Sequence, residues 1–310
     1  MMETAWKEMQ AWVELNDRRA GKTEKKTHKT PGTITEPEKS ENIPNSEYSE
    51  NSEKSFKVRY YKSPSAFRCS GALVPPGLNF TYRLSPFMGC EQCSVDKNPY
   101  CFENYNPWWK KGEIKVKTNT KELLTSTLDR DTKEWKKSGI SILMDGFDNI
   151  FTERKTGVLR DCLIILSDYP VKIHIQTGRT ELLEKYKKEL ADLGERVTIW
   201  LSVADELTFN KDVILDLKES GINIILNILL FPLINTGEEK LSPLQKFAEE
   251  NKIKLSFTWL RLQHKGPQRD AVIKWIKDKY GRETAEKYSS IYPAEIPAGK
   301  YGRIPVKKDY

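Results

Sequence analysis

The stretch VKIHIQTGRTELLEKYKKELADLGERVTIWL, residues 171–201, decides the fold class of this chain. A run rich in β-branched residues at 171–175 precedes an amphipathic stretch at 180–193, and a second such run follows at 197–201. Gly194 is a helix-stop signal between the amphipathic stretch and the second run. The stretch therefore predicts a strand, a helix and a second, parallel strand, which together form a βαβ unit.

The same alternation continues through the body of the chain. We predict strands at 79–87, 140–144, 171–175, 197–201, 222–230 and 255–260. We predict helices at 120–137, 154–168, 180–193, 208–220, 241–251 and 268–280. Six strands alternating with six helices indicate an α/β fold with a mostly parallel sheet, either a doubly wound open sheet or a full or partial barrel. In both architectures, ligands bind at the carboxyl ends of the strands.

Four segments of the chain differ in composition. Residues 1–17 predict an amphipathic helix. Residues 18–55 are dominated by Ser, Thr, Asn, Glu, Lys and Pro, and they predict a disordered linker because too little apolar surface is present to offset the entropy of ordering. We expect the folded domain at 56–290. The Pro- and Gly-containing residues 291–310 predict an extended C-terminal strap.

Composition limits the class of protein. The chain is 38% hydrophobic and 31% charged, and it contains no apolar run near the roughly 18 residues that a membrane-spanning helix needs. Its start has no signal-peptide core, so we expect a cytoplasmic protein that does not enter a membrane. The formal net charge is +7, and the excess of Lys and Arg lies in the body of the chain. A basic body is compatible with a nucleic-acid partner, although a lysine-rich solvated surface is the simpler interpretation.

Three cysteines lie close together after the first predicted strand. Cys90, Cys93 and Cys101 have the spacing Cys-x2-Cys-x7-Cys. Three clustered thiolates can hold a metal ion or an iron–sulfur cluster and leave one coordination position open. Polar side chains also occur at or near the ends of the later strands, at Asp145, Gln176, Ser202, Asn227 and Arg261. The polar residues therefore fall where a βα architecture places its active site.

Zinc is the alternative to an iron–sulfur cluster. Structural zinc sites usually have four ligands, often two Cys-x2-Cys pairs. Here no second pair follows, and the three histidines, His28, His174 and His264, are scattered. In a chain with cytosolic character, five cysteines do not predict a disulfide framework. We expect Cys162, which stands apart, to be a small buried apolar residue.

Several stretches resemble the radical S-adenosylmethionine (SAM) superfamily, and within it the spore photoproduct lyase-like and DNA repair photolyase-like branch. The resemblance lies in Leu84–Cys90, in Tyr100–Phe102 and in Ile114–Asn119 before a long helix, and it extends over roughly 57–265. The usual family spacing is Cys-x3-Cys-x2-Cys. In this chain the first gap is one residue shorter and the second is five longer, so 94–99 must loop out for the three sulfurs to converge.

The resemblance implies a fold and a mechanism. The fold would be a parallel (βα)6 partial TIM-type barrel. Cys90, Cys93 and Cys101 would bind a 4Fe–4S cluster whose fourth iron chelates SAM. One electron, delivered by a donor of the flavodoxin or ferredoxin type, would cleave SAM and produce a 5′-deoxyadenosyl radical that abstracts a hydrogen atom from the substrate.

The resemblance also implies residue roles. Tyr100 matches an aromatic beside the SAM adenine, and loop packing is its alternative role. Asp145 and Gly146 fall where contacts to the SAM amino group arise, and a turn with a helix-capping aspartate is the alternative. Ribose and carboxylate contacts are expected at Gln176, Arg179 and Ser202.

The chain departs from the family's lyases at the hydrogen donor, so either its substrate differs from theirs or another residue donates the hydrogen atom. Residues 143–147 lack the cysteine that donates a hydrogen atom in spore photoproduct lyases, and Tyr105 is a candidate donor in its place. Residues 104–111 contain two tryptophans beside two lysines, which suits base stacking and a phosphate contact. The simpler alternative is that the tryptophans pack at the mouth of the barrel and the lysines are surface charges. We therefore expect a monomeric radical SAM enzyme, lyase-like, with a possible nucleic-acid substrate. The alternative is a zinc-binding structural or interaction protein without catalytic activity.

Overall fold

The computed structural model describes residues 46–48, 56–68, 78, 80–92, 98–105, 112–138, 141–204, 209–262 and 266–292. The helix predicted at 1–17 and nearly all of the strap predicted at 291–310 lie outside these residues. Most of the linker predicted at 18–55 does as well, but Ser46–Tyr48 within it forms a short strand.

The elements follow one another in an alternating order. The strands are β1 (Ser46–Tyr48), β2 (Phe56–Tyr61), β3 (Phe67–Arg68), β4 (Tyr82–Leu84), β5 (Phe87–Met88), β6 (Glu113–Lys117), β7 (Ser141–Met144), β8 (Lys172–Thr177), β9 (Val197–Val203), β10 (Asn223–Leu230) and β11 (Lys254–Trp259). The helices are α1 (Thr120–Ser138), α2 (Ile150–Thr156), α3 (Val158–Ser167), α4 (Glu181–Lys185), α5 (Lys187–Leu193), α6 (Lys211–Glu219), α7 (Glu238–Glu250), α8 (Pro267–Tyr280) and α9 (Arg282–Ile291). Short 3₁₀ helices occur at Phe102–Tyr105 and Gly194–Arg196.

The larger sheet has the strand order β11-β10-β9-β8-β7-β4-β3. Six of these strands, β4 and β7 to β11, are parallel, and β3 is antiparallel to β4 at one edge. The parallel strands follow chain order without a reversal, whereas a doubly wound sheet has a point where the order reverses. The prediction of a parallel α/β sheet is confirmed, and its order is compatible with a partial barrel. In the described part of the chain, β3 and β11 are edges that do not pair with each other.

A smaller sheet, of order β1-β2-β6-β5, was not predicted. The predicted single strand at 79–87 was wrong in this respect, because the chain pairs with the larger sheet in β4 and with the smaller sheet in β5. Pro86 lies between them, and proline cannot donate to a continuing ladder. Its carbonyl oxygen instead accepts the Lys117 N–H at 2.9 Å. The chain therefore passes from the larger sheet to the smaller sheet just before Cys90.

The helix predicted at 154–168 is two helices, α2 and α3. Gly157 separates them with a left-handed φ of 66°. The buried carboxylate of Glu153 then accepts the backbone N–H groups of Leu159 at 2.9 Å and Arg160 at 3.2 Å, the first-turn donors of α3. Burial raises the pKa of Glu153.

The main core lies between the larger sheet and its helices. Strand residues such as Ile173, Ile175, Ile199 and Leu201 are fully buried there, as is Cys162, as predicted. A second apolar cluster covers the ends of β10 and β11, where α8 and the unpredicted α9 pack.

Candidate functional site

One face of the larger sheet carries three of the polar residues that the sequence analysis placed at the strand ends. Gln176 on β8 is paired with Trp200 on β9, and Asn227 on β10 is paired with Ser202 on β9. Paired residues on adjacent strands point to the same face, and so do residues two apart on one strand. The structure therefore brings Gln176, Ser202 and Asn227 onto a common face, opposite the face that packs on the helices.

Neighbouring groups on this face are also polar. The Thr258 hydroxyl donates to Asn227 Oδ1 at 2.8 Å. Two buried atoms, His174 Nδ1 and Trp200 Nε1, have no hydrogen-bond partner among the described residues. Burial and the nearby Lys172 lower the pKa of His174, which favours the neutral imidazole. The face thus presents amides, hydroxyls and a neutral ring beside a small apolar cluster of Leu78, Leu143, Trp200 and Ile225.

Asp145 follows β7 and forms an ion pair with β4. Its Oδ2 atom accepts from Arg83 Nε at 2.5 Å and from the Ser85 hydroxyl at 2.7 Å. Both side chains of the ion pair are about four-fifths buried. The Asp145 carboxylate is therefore held beside the chain that leads into residues 90–101, which we call the cysteine segment. The alternative role of Asp145 as a helix cap is not observed, because Asn149 is the residue that precedes α2.

Gly146 lies close to Phe87, in the chain that leads to Cys90. It has φ of 102°, and a Cβ atom at this position would lie 2.8 Å from Cδ2 of the Phe87 ring. The position requires glycine for two reasons, the backbone conformation and the contact with a buried aromatic ring.

The first part of the cysteine segment is held by helix α2. The Glu91 carboxylate accepts the backbone N–H of Phe151 at 2.9 Å and that of Thr152 at 2.7 Å. The Gln92 N–H points at Cys90 Sγ, with an N···S distance of 3.4 Å. Cys90 is half-buried and its thiol is free. This part of the segment is therefore ordered by contacts to the chain that follows β7.

The second part of the cysteine segment contacts the opposite edge of the larger sheet, where β10 and β11 lie. Gln268 at the start of α8 donates to the Tyr100 carbonyl oxygen at 2.9 Å. The Tyr100 ring packs edge-on against Phe231, with ring centroids 5.1 Å apart, and against Trp275 at 6.2 Å. Loop packing, the alternative role for Tyr100, is what this geometry shows. The adenine contact stays a prediction.

The two parts meet at the base of the segment. Asn98 Nδ2 lies 3.5 Å from the Gln92 carbonyl oxygen, and the Cys101 N–H donates to the Asn98 carbonyl oxygen at 3.0 Å. Cys101 is half-buried. Residues 93–97, which include Cys93, lie outside the described residues. Residues 92 and 98, on either side of that stretch, are in contact. The outward loop at 94–99 stays a prediction.

Tyr105 follows Cys101 in the chain and contacts the backbone of the cysteine segment. Its hydroxyl donates to the Pro99 carbonyl oxygen at 2.9 Å. Burial and the nearby Cys101 raise the pKa of Tyr105 to about 12. The phenol therefore keeps its proton at neutral pH.

Arg179 is already paired. Its guanidinium forms a two-pronged ion pair with the Glu181 carboxylate, with Nε 2.9 Å and 3.1 Å from the two oxygens. This pairing raises the pKa of Arg179 and lowers that of Glu181. A SAM contact from Arg179 would have to compete with Glu181.

The features that suggested a nucleic-acid substrate are only partly described. Trp108, Trp109, Lys110 and Lys111 lie outside the described residues, as do His264 and Lys265. Arg269 donates to the Tyr292 carbonyl oxygen at 2.6 Å, so this arginine holds α9 in place. Arg261 lies half-buried just past β11.

Sequence reasoning missed Glu91, Asn149 and Gln268. Their partners are 58 to 168 residues away in the chain. A signal for Glu91 existed in its acidic side chain between two cysteines, but nothing local indicated that it caps a distant helix.

Within the residues that the structure describes, no group of three His, Cys, Asp or Glu side chains is placed to hold a metal ion. Cys93 is not among these residues, so the finding does not bear on the predicted trio of Cys90, Cys93 and Cys101. Over the described residues, no helix has both the length and the apolar character that a membrane crossing needs.

No family model matches this chain, and neither a curated protein nor a solved structure matches it. The class that the fold and the site define is an α/β protein with a parallel sheet and a cysteine segment at the carboxyl ends of its strands.

Proposed function

We propose that this chain is a radical SAM enzyme that binds a 4Fe–4S cluster through Cys90, Cys93 and Cys101. The observation that carries the proposal is the course of the cysteine segment. Its contacts run from Asn149, just after β7, to Phe231 and Gln268, just after β10 and β11. The segment thus lies at the carboxyl ends of the parallel strands, where βα folds bind ligands.

The residues present fit the cluster in their chemistry. Cys90 and Cys101 are half-buried, and soft thiolates are the usual ligands of iron–sulfur clusters. The Gln92 N–H beside Cys90 Sγ would stabilise negative charge on that sulfur. The contact of Asn98 with Gln92 brings together the described residues on either side of Cys93 in the chain.

The bound cluster would supply the electron that cleaves SAM reductively to a 5′-deoxyadenosyl radical. The protein's own residues would then bind and orient SAM. Gln176 and Ser202 face the same side of the sheet and offer hydrogen bonds for hydroxyl or carboxylate groups. The carboxylate of Asp145 carries a negative charge that an ammonium group could share with Arg83. Gly146 would let the segment lie close to the sheet.

The substrate stays a prediction, with a nucleic acid as the class favoured by the basic, tryptophan-containing residues 104–111. Tyr105 is protonated at neutral pH, so it holds a hydrogen atom that it could donate. A one-electron donor of the flavodoxin or ferredoxin type is part of the same proposal.

The test is anaerobic reconstitution of the full chain with iron and sulfide. We expect a brown protein with iron–sulfur absorption that, after reduction, converts SAM to 5′-deoxyadenosine. Cys93→Ala should abolish cluster assembly, whereas Cys162→Ala, at a buried position away from the segment, should leave the iron content unchanged. A colourless protein that purifies with stoichiometric zinc would instead support the zinc-binding structural or interaction protein. Equal iron content in the two variants would show that the ligands are wrong.

A further inference from the structure

Asn149 binds the backbone on both sides of Cys90. Its side-chain Nδ2 donates to the Gly89 carbonyl oxygen at 3.2 Å, and its Oδ1 accepts the Glu91 N–H at 2.9 Å. Gly89 and Glu91 are the two neighbours of Cys90 in the chain. One side-chain amide therefore fixes the course of the backbone through this cysteine.

Glu91 completes the arrangement from the other direction. Its two carboxylate oxygens accept the N–H groups of Phe151 and Thr152, which have no partner within helix α2. Glu91 is 7% exposed and Asn149 is 2% exposed, so water does not compete with these bonds. Breaking one of them would leave a buried polar group unsatisfied, which destabilises the local structure.

The geometry also orients a donor toward the sulfur. With Gly89 and Glu91 held, the next N–H in the chain, that of Gln92, lies 3.4 Å from Cys90 Sγ. Hydrogen bonds to a cysteine sulfur stabilise its negative charge and set the reduction potential of an iron–sulfur cluster.

We infer that Glu91 and Asn149 are positioning residues, which set the orientation of Cys90 and of the Gln92 N–H before any metal or cluster binds. The part of this inference that concerns the potential rests on the proposed function. The part that concerns the order of the segment does not, because it applies to the metal-free chain.

The first experiment uses the full-length protein without metal. Hydrogen exchange at the amides of 91 and 92 is measured in wild type, Glu91→Ala and Asn149→Ala. We expect roughly tenfold faster exchange in both variants, since loss of about 1.4 kcal/mol of local stability is a factor of ten. Asn210→Ala is the matched control, because Asn210 caps α6 through Oδ1, at 3.1 Å from the Asp212 amide nitrogen, far along the chain from the cysteines. It should leave exchange at 91 and 92 unchanged.

The second experiment uses protein reconstituted with iron and sulfide. Without the two residues, the Gln92 N–H is no longer held toward the sulfur, so the midpoint potential of the cluster should shift to more negative values. The Asn210→Ala protein should keep the wild-type potential even though it loses a helix cap. A purely structural role for Glu91 and Asn149 would lower stability in all three variants and leave the potential at its wild-type value.

Asn149→Asp covers the case in which the alanine variants do not fold. Aspartate keeps the acceptor for the Glu91 N–H and loses the donor to Gly89, so exchange rates between those of wild type and Asn149→Ala are expected. Wild-type exchange rates at 91 and 92 in Glu91→Ala, or in Asn149→Asp if the alanine variants do not fold, would overturn the inference. If wild type assembles no cluster, the proposed function fails, and the exchange rates still decide whether the two residues order the segment.

Discussion

Replacing Gly146 with alanine tests how the sheet supports the cysteine segment. The residue has φ of 102°, and an added Cβ would lie 2.8 Å from Cδ2 of Phe87, a ring that is only 4% exposed. Alanine in a left-handed conformation costs about 1–2 kcal/mol. Forcing a buried ring to move costs about 1–3 kcal/mol more. We expect Gly146→Ala to lower the free energy of unfolding by about 2–5 kcal/mol.

Gly221→Ala separates the two contributions. Gly221 has φ of 83°, but an added Cβ there would have no atom within 4 Å. This control should lose only the backbone contribution of about 1–2 kcal/mol. Both variants are unfolded in guanidinium chloride at equilibrium and followed by far-UV circular dichroism.

The reasoning would be refuted if Gly146→Ala lost no more stability than Gly221→Ala. In that case the Phe87 ring moves without cost, and Gly146 does not hold the chain that leads to Cys90. If the proposal of an iron–sulfur enzyme is right, Gly146→Ala should also assemble less cluster than Gly221→Ala, since Phe87 lies three residues before Cys90.

Two further predictions concern buried polar groups. Tyr288→Phe removes a buried hydroxyl that donates to the Pro232 carbonyl oxygen at 2.6 Å, so it should lower the free energy of unfolding by about 1–2 kcal/mol; a loss below the error of chemical denaturation would contradict it. Burial raises the pKa of Glu153 above its ordinary value of 4.5, so the folded chain holds that proton more tightly than the unfolded chain. The resulting stability is present in full below that ordinary value and is lost as pH rises through the higher folded pKa. Glu153→Gln should therefore show a smaller decline in Tm than wild type as pH rises above 4.5, and an equal decline would assign the pH dependence to other groups.

The polar residues on one face of the larger sheet illustrate what a sequence pattern can predict. Gln176, Ser202 and Asn227 lie late in separate strands, and the two-residue period of a strand together with parallel register brings them to one face. That outcome needs only local periodicity and the rule for parallel sheets. The partners of other strand-end side chains depend on distances across the fold, and for this reason the ion pair of Asp145 with Arg83, 62 residues earlier in the chain, was not predicted.

The smaller sheet shows the corresponding limit for the fold. β2 and β6 pair in parallel although the first ends at Tyr61 and the second begins at Glu113. β5 contributes only two residues to this sheet. Such short strands have too little periodicity to be recognised, and their pairing is decided by packing rather than by local preference.

The sequence by itself determined the alternation of strands and helices, the parallel sheet and the clustering of three cysteines after the first strand, because these follow from local periodicity and spacing. Only the tertiary structure decided how the cysteine segment is held. The contacts of Glu91, Asn149 and Gln268 join groups at least 58 residues apart. Hydrogen bonds of this kind depend on where the whole sheet places its carboxyl ends, and no local pattern contains that information.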